Sequence, residues 1–196
     1  MSDNSHQLAA ILFADVVEYT AMMQIDENDA VEKINRFRQS LETIAAELDG
    51  KIIQYYGDGS LLLFHSATDA AEFAKLLQTD LNESTPTVPV RIGIHMGDVL
   101  MQNGNVFGDV VNIASRIQAL APVGGIYISE VVSLNIANKK GLDSVFIKEQ
   151  ALKNVKDPVR IFEVQTKFSK PVTLPVVAEK KIAKPISENS IAVLPF

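Results

Sequence analysis

The sequence has no cysteine and no tryptophan among its 196 residues, and only three histidines, His6, His65 and His95. Without cysteine, disulfides and thiolate metal sites are excluded. The scattered histidines also lack the spacing of a zinc site. Any metal site must therefore be built from carboxylates, which suit Mg²⁺, Mn²⁺ or Ca²⁺.

Long apolar runs and dense positive charge are missing as well. No stretch approaches the ~18 apolar residues of a membrane-spanning helix, and residues 1–7 lack the apolar core of a signal peptide. The net charge is −6, without a dense basic stripe in the first 165 residues, so nucleic acid is not the expected partner. We therefore expect a cytoplasmic protein without membrane insertion.

The remaining composition is that of a globular domain, with 47% hydrophobic and 21% charged residues. The apolar run Leu8–Ala14 predicts a buried strand, and apolar residues spaced by three and four after Asp26 predict a long amphipathic helix. Two β-rich runs joined by residues 57–59 predict a hairpin. The elements alternate as β-α-β-β-α-β. This order predicts an α+β fold, a ferredoxin-like sheet with helices on one face and C-terminal strand additions.

Composition also divides the chain into four parts. Residues 1–7 are predicted to be disordered and residues 8–166 to form the folded domain. Residues 167–190 are rich in proline and lysine and predict a linker. Residues 191–196 resemble the first strand of a following domain.

Two aspartates follow or precede predicted strands. Asp15 stands where the first strand ends, before a turn that can offer backbone N–H groups to phosphate oxygens. Asp58 lies at the tip of the hairpin, where Asp-Gly is also an ordinary turn pair. If the two strands are neighbours, these carboxylates can hold two metal ions about 4 Å apart. The alternative is that Asp15 caps a turn and Asp58 only forms one.

A third polar group lies on the predicted helix from residue 110 to 120. Asn112 and Arg116 are four residues apart and therefore share a helix face. The planar guanidinium of Arg116 can bind phosphate oxygens, and Asn112 can position a ribose. A solvated polar face is the alternative explanation.

The segments FADVVEYT, YYGDGSLLLF, RIGIHMGDV, FGDVVNIASR and ALKNVKDPVRIFEV occur in this order. Together they resemble the class III adenylyl/guanylyl cyclase catalytic domain, in its bacterial, short-loop branch, over roughly residues 8–164. The resemblance implies an enzyme of intracellular signalling that converts a nucleoside triphosphate, foremost ATP, to the 3′,5′-cyclic monophosphate and pyrophosphate. It also implies two Mg²⁺ or Mn²⁺ ions and a homodimer that shares its active sites.

The resemblance assigns the metal and catalytic roles residue by residue. Asp15 and Asp58 match the two metal-binding aspartates, and Val16 is grouped with them. Asn112 and Arg116 match the pair that stabilises the transition state. One subunit is then expected to supply the aspartates and the other the helix pair.

The residues expected to bind substrate are Gln54, Asn105, Lys153, Tyr19 and Thr20. Lys153 matches the family's phosphate-binding lysine, although an ordinary surface lysine is the alternative. Gln54 and Asn105 stand where adenylyl cyclases usually carry a lysine and an aspartate that read adenine. Each amide can both donate and accept a hydrogen bond, so the pair can serve adenine and can also admit guanine.

Three other functions remain open from the sequence. A non-catalytic module for dimerisation or nucleotide sensing is compatible with the amide pair. A diguanylate cyclase is disfavoured, because its Gly-Gly-Asp/Glu-Glu-Phe hairpin is missing. A plain ferredoxin-like binding domain would require all the motifs to coincide by chance.

Overall fold

The fold comes from a computed structural model that describes residues 5–169. Within that range the chain forms eight strands and five helices. They run in the order β1 (Ser5–Val16), α1 (Tyr19–Ile25), α2 (Glu27–Glu47), β2 (Lys51–Tyr56), β3 (Gly59–Phe64), α3 (Ala67–Glu83), β4 (Val90–Gln102), β5 (Asn105–Phe107), α4 (Asp109–Leu120), β6 (Ile126–Ser129), α5 (Glu130–Ile136), β7 (Ser144–Gln150) and β8 (Val159–Val164). From residue 170 onward, the predicted linker and the start of a following domain lie outside the described residues.

All strands belong to one sheet, in the order β2-β3-β1-β4-β6-β8-β7, with β5 paired to β4. The β4–β6 pair is parallel and the other pairs are antiparallel. Strand β1 is central, between β3 and β4. The expected α+β class is confirmed. In this part of the chain no helix has the length and hydrophobicity needed to cross a membrane.

Helices cover both faces of the sheet. Successive side chains of a strand point to opposite faces. Ala10 and Leu12 of β1 pack into the core cluster that includes α2, α3 and α5. Ala9 and Ile11 pack into a second cluster with residues of α4. The expectation that all helices lie on one face is therefore corrected for α4.

Helix α4 reaches the opposite face because it has its own apolar stripe to bury, formed by Val110, Ala114 and Ile117. A glycine permits its close approach to β4. A Cβ atom added to Gly93 would lie 2.2 Å from the backbone nitrogen of Gln118. The helix backbone thus rests directly on β4, a packing that any larger residue at position 93 would prevent.

Local signals explain where the helices on the first face begin. The side chain of Asp26 accepts hydrogen bonds from the backbone N–H groups of Asn28 and Asp29 at 3.0 and 3.1 Å. The hydroxyl of Ser66 accepts one from Asp69 N at 3.0 Å. Both side chains satisfy amides that have no partner in the first helical turn, and both starts agree with the sequence.

The β4–β5 connection is a tight turn formed by Asn103 and Gly104, with φ values of 51° and 79°. Two successive positive φ values are what a two-residue hairpin turn requires, and Asn-Gly supplies them at little cost. At the same end of the sheet, Ser5 already pairs with Met101 in the β1–β4 ladder. Residues 5–7 are therefore strand, where the sequence predicted disorder.

Candidate active site

Asp15 and Asp58 lie at the same end of the sheet, where β1 ends and β3 begins. Asp15 stands opposite Gly59 in the antiparallel ladder. The backbone N–H of Val16 donates to the carbonyl oxygen of Asp58 at 3.1 Å. The structure thus brings together the three residues for which a metal-binding role is predicted.

The Asp15 carboxylate is held through one oxygen. Its Oδ2 accepts hydrogen bonds from Arg91 Nε at 3.1 Å and Nη2 at 2.9 Å, and from Gln118 Nε2 at 3.3 Å. Oδ1 accepts no hydrogen bond from the described residues. A Cβ atom at Gly59 would lie 3.1 Å from Oδ1, so the glycine keeps space open at this oxygen.

The hairpin that carries Asp58 is tied to α2 through Arg38. Nη2 of Arg38 donates to the carbonyl oxygen of Gly57 at 3.2 Å, and its guanidinium stacks 5.1 Å from the ring centroid of Tyr55. The Tyr55 hydroxyl donates to Glu42 at 3.0 Å. Burial and the Glu42 carboxylate raise the pKa of Tyr55 to about 12. The phenol therefore stays protonated and keeps this hydrogen bond at neutral pH.

Asn112 and Arg116 lie away from these carboxylates. Asn112 is exposed and Arg116 is half-buried, and Arg116 forms no ion pair with another described residue. At about 100° per residue, Arg116 lies about 200° around α4 from Gln118. Because Gln118 contacts Asp15, Arg116 must point away from the Asp15 of its own chain.

Gln54 and Asn105 are both exposed and flank one apolar cluster. Their chain neighbours Ile53 and Val106 belong to the cluster beside α4. Asn105 pairs with Gln102, whereas Asp15 faces Arg91 near the start of β4. At roughly 3.3 Å per residue, the stretch of strand from Arg91 to Gln102 is on the order of 35 Å long. A single chain therefore does not bring Asn105 to the carboxylates.

The remaining predicted residues lie near these two groups. Lys153 is exposed in the β7–β8 connection. The adjacent Leu152 packs in one cluster with Ile117, which brings this connection alongside α4. Tyr19 and Thr20 begin α1, three residues after Val16. Tyr19 packs against the main core cluster, whereas Thr20 is exposed.

Sequence reasoning missed the side chains that hold Asp15 and Asp58. Arg91 faces Asp15 only because β1 and β4 pair in this register, and no local pattern shows that pairing. Gln118 could have been found from the sequence, because it is a polar residue in the stripe of α4 where the helical pattern calls for an apolar one. In the structure it faces the sheet and is 8% exposed.

Asp15 and Asp58 form what we call the carboxylate end of the sheet. Their oxygen atoms are ligands of the kind that Mg²⁺ and Mn²⁺ prefer, and the space beside Asp15 Oδ1 leaves that atom open to a metal ion. Within residues 5–169 there is no group of three or more His, Cys, Asp or Glu side chains that could hold a metal. Mg²⁺ is commonly bound through one or two carboxylates with substrate phosphates completing its shell. The donor set therefore fits a metal that arrives with a nucleotide better than one permanently enclosed by protein.

Comparison with known proteins gives a consistent picture. The family model described as the adenylate and guanylate cyclase catalytic domain matches residues 1–165. A protein of Rhizobium meliloti (strain 1021) with the provisional name adenylate cyclase 3 is 34% identical over 197 residues, covering 97% of this chain and 33% of that protein. An adenylate cyclase of Streptomyces coelicolor is 31% identical over 120 residues, covering 61% of this chain and 32% of that protein. The chain thus spans about a third of the length of these relatives.

Solved structures show the same fold. The crystal structure of an adenylate/guanylate cyclase/hydrolase from Silicibacter pomeroyi has a TM-score of 0.76 and 30% identity, covering 83% of this chain and 98% of that chain. The adenylyl cyclase CyaB of P. aeruginosa has a TM-score of 0.72 at 18% identity, covering 86% and 98%. The second likeness concerns the fold alone.

Proposed function

The chain belongs to the adenylate and guanylate cyclase catalytic-domain family, and from that premise we propose that it converts ATP to cyclic AMP and pyrophosphate in a homodimer with shared active sites. One observation carries the proposal of shared sites. Gln118 turns one side of α4 toward Asp15, so Arg116 on the other side points away from the Asp15 of its own chain and would serve a site completed by a second chain. The names of the relatives from R. meliloti and S. coelicolor support ATP as the substrate.

Asp15, Asp58 and the backbone at Val16 would hold the metal in this scheme. When bound, Mg²⁺ or Mn²⁺ supplies polarisation of the ribose 3′-hydroxyl and neutralisation of the triphosphate charge. The protein's part is to keep Asp15 fixed through Oδ2 while Oδ1 stays accessible. The backbone hydrogen bond from Val16 N to Asp58 O keeps the two segments that carry the carboxylates side by side.

Arg116 and Asn112 of the other copy would complete the site. The 3′-oxygen attacks the α-phosphorus in line, the bond to the bridging oxygen of the β-phosphate breaks, and pyrophosphate leaves with that oxygen. Arg116 can bind the developing charge through its planar guanidinium, and Lys153 can bind the departing phosphates. Catalysis then comes from positioning and charge neutralisation, with no covalent intermediate on the protein.

Gln54 and Asn105 would read the base. Both side chains are exposed at the rim of one apolar cluster, which can receive the flat face of a purine. An amide can rotate to match either the adenine or the guanine edge. We therefore expect cyclic AMP as the main product and cyclic GMP as a smaller one.

The test is turnover of the purified chain with ATP, GTP, CTP and UTP in turn, with Mn²⁺ and with Mg²⁺, and with products identified by mass. Asp58→Ala and Arg116→Ala should each abolish most activity. Mixing the two variants should restore about a quarter of it, because half of the dimers are then mixed and each mixed dimer holds one intact site. If mixed dimers form but stay inactive, the sites are not shared. If the unaltered dimer yields no cyclic product, the chain is a non-catalytic module.

A further inference from the structure

One side chain connects the helix of Arg116 to the carboxylate of Asp15 within a single chain. The amide nitrogen of Gln118 lies 3.3 Å from Asp15 Oδ2. Gln118 is 8% exposed, so solvent cannot readily replace this hydrogen bond. A buried amide is costly to leave without a partner, which favours a fixed role for it.

Gln118 also sits where α4 touches the sheet most closely. A Cβ atom at Gly93 would lie 2.2 Å from its backbone nitrogen and 2.4 Å from its Cα atom. Ile117, beside it, is fully buried. A movement of α4 relative to β4 must therefore change the position of the Gln118 amide relative to Asp15.

The hydrogen bond is already near the long end of the useful range for N–H···O contacts. Arg91 donates to the same oxygen, but its side chain is 33% exposed and can respond to other anions. Gln118 carries no charge and lies beneath the helix. Of the side chains that donate hydrogen bonds to Asp15, it is therefore the one whose distance depends most directly on the position of α4.

We propose that Gln118 is a positioning residue that couples the two active sites of the dimer. The proposal rests on the proposed function, in which Arg116 of one chain serves one site and Asp15 of the same chain serves the other. Arg116 and Gln118 lie on opposite sides of α4, so a shift of the helix toward phosphates bound at Arg116 would carry the Gln118 amide away from Asp15. The bond from Gln118 to Asp15 lengthens, and Asp15 of the second site is held less well.

The expected result is negative cooperativity. The second metal–nucleotide complex should bind more weakly than the first, by about fivefold or more beyond the statistical factor, as is typical of coupled sites. The probe is 3′-deoxy-ATP with Mn²⁺, because this nucleotide lacks the attacking hydroxyl and cannot react. Calorimetry gives the two stepwise constants, and the Mn²⁺ electron resonance signal counts the bound ions.

Gln118→Leu removes the donor at similar volume and should make the two binding steps independent. Gln118→Asn keeps the amide but shortens its reach, and it should give the same result if the leucine variant does not fold. Gln78→Leu is the matched control. Gln78 is another fully buried glutamine, on α3, and its acceptor, the Val90 carbonyl, keeps a second hydrogen bond from Gly124 N at 2.8 Å. This control should retain the cooperativity.

The coupling is overturned if the unaltered dimer binds its two ligands independently, or if Gln118→Leu and Gln118→Asn keep the unequal steps. Failure of the proposed function gives a different result. In that case the unaltered dimer yields no cyclic product, and the Asp58→Ala and Arg116→Ala mixture recovers no activity. If the mixture of variants recovers activity but the two nucleotide-binding constants are equal apart from the statistical factor, only the coupling is contradicted.

Discussion

The end of the sheet that carries the two aspartates and the outer face of α4 are built in opposite ways. Around Asp15 and Asp58, the chain's own side chains from β4, α4 and α2 supply hydrogen bonds. On the outer face, Asn112 is exposed and the guanidinium of Arg116 has no ion pair with the described residues. The first region is held by contacts within the folded chain, whereas the second presents polar groups that the described residues leave without a charged partner.

This difference separates two requirements for activity. The carboxylate end should form in any folded chain, including a monomer. In the proposed homodimer the outer face becomes part of a site when a second copy approaches, so activity should rise more steeply than protein concentration near the dimer dissociation constant. Substitutions in the two regions should accordingly fail in different ways.

The largest effect is expected for Arg116→Ala. By analogy with removal of one donor aimed at developing charge, turnover should fall by on the order of 10²–10³. The melting temperature should change little, because Arg116 has no ion pair within the described residues to lose. Turnover and thermal melts of the same preparation measure both quantities. Near-normal turnover would remove Arg116 from the mechanism, and a strong loss of stability would mean that the outer face is part of the fold.

Gly59→Ala should act on the other region. The new methyl group would lie 3.1 Å from Asp15 Oδ1 and 3.3 Å from the Ala14 carbonyl oxygen, which crowds the oxygen left open for a metal. Since displacement of a reacting group by about 1 Å can cost on the order of 10² in rate, we expect a loss between about tenfold and a hundredfold. The Mn²⁺ concentration that gives half-maximal activity should rise with it.

Gly57→Ala is the control for that substitution. Gly57 has φ 58° and nothing within 4 Å of an added Cβ, so alanine there costs about 1 kcal/mol of backbone strain without touching Asp15. A drop in stability with an unchanged Mn²⁺ requirement is expected. Equal Mn²⁺ requirements in both variants would show that space at Oδ1 is unimportant.

The two regions also differ in how far the sequence could predict them. The starts of α2 and α3 were predictable because Asp26 and Ser66 bond to amides two or three residues away. The hydrogen bonds to Asp15 come from Arg91 and Gln118, which lie 76 and 103 positions further along the chain. Only the register of the sheet and the packing of α4 on it bring these side chains to Asp15. The spacing of four grouped Asn112 and Arg116 on one helix face, but that this face points away from Asp15 follows only from the contact between Gln118 and Asp15.

His95 tests the strand that both regions share, because it lies on β4, which carries Arg91 near its start and packs directly against α4. Burial lowers the pKa of His95 from 6.5 to about 4. The unfolded chain therefore binds a proton between these pH values that the folded chain does not. The contribution of His95 to the free energy of unfolding is therefore fully present above pH 6.5. It is lost as the pH falls toward 4, by about 2 kcal/mol between pH 7 and pH 5.

Denaturant unfolding at pH 7 and pH 5 measures this loss. His95→Asn should flatten the difference by removing the titrating group, and it can keep a hydrogen bond to Ser129, whose hydroxyl lies 2.7 Å from His95 Nδ1. His65→Asn is the control for loss of an imidazole, because His65 is exposed. The same slope in His95→Asn as in the unaltered chain would assign the acid sensitivity to other groups.

The smallest effect is expected for Arg38→Met, which tests whether α2 holds the Asp58 hairpin in place. The change removes the hydrogen bond to the Gly57 carbonyl oxygen and the stacking on Tyr55 but keeps an apolar stem. A charged donor at this half-buried position contributes on the order of 1 kcal/mol, so the Mn²⁺ requirement should rise by no more than about fivefold. Arg160→Met is the matched control, since Arg160 also stacks on an aromatic ring, that of Phe146 at 5.1 Å, at a distance from the hairpin. If both variants keep the original Mn²⁺ requirement, the hairpin is held by its strand pairing alone, and the carboxylate end depends on fewer contacts than its hydrogen bonds suggest.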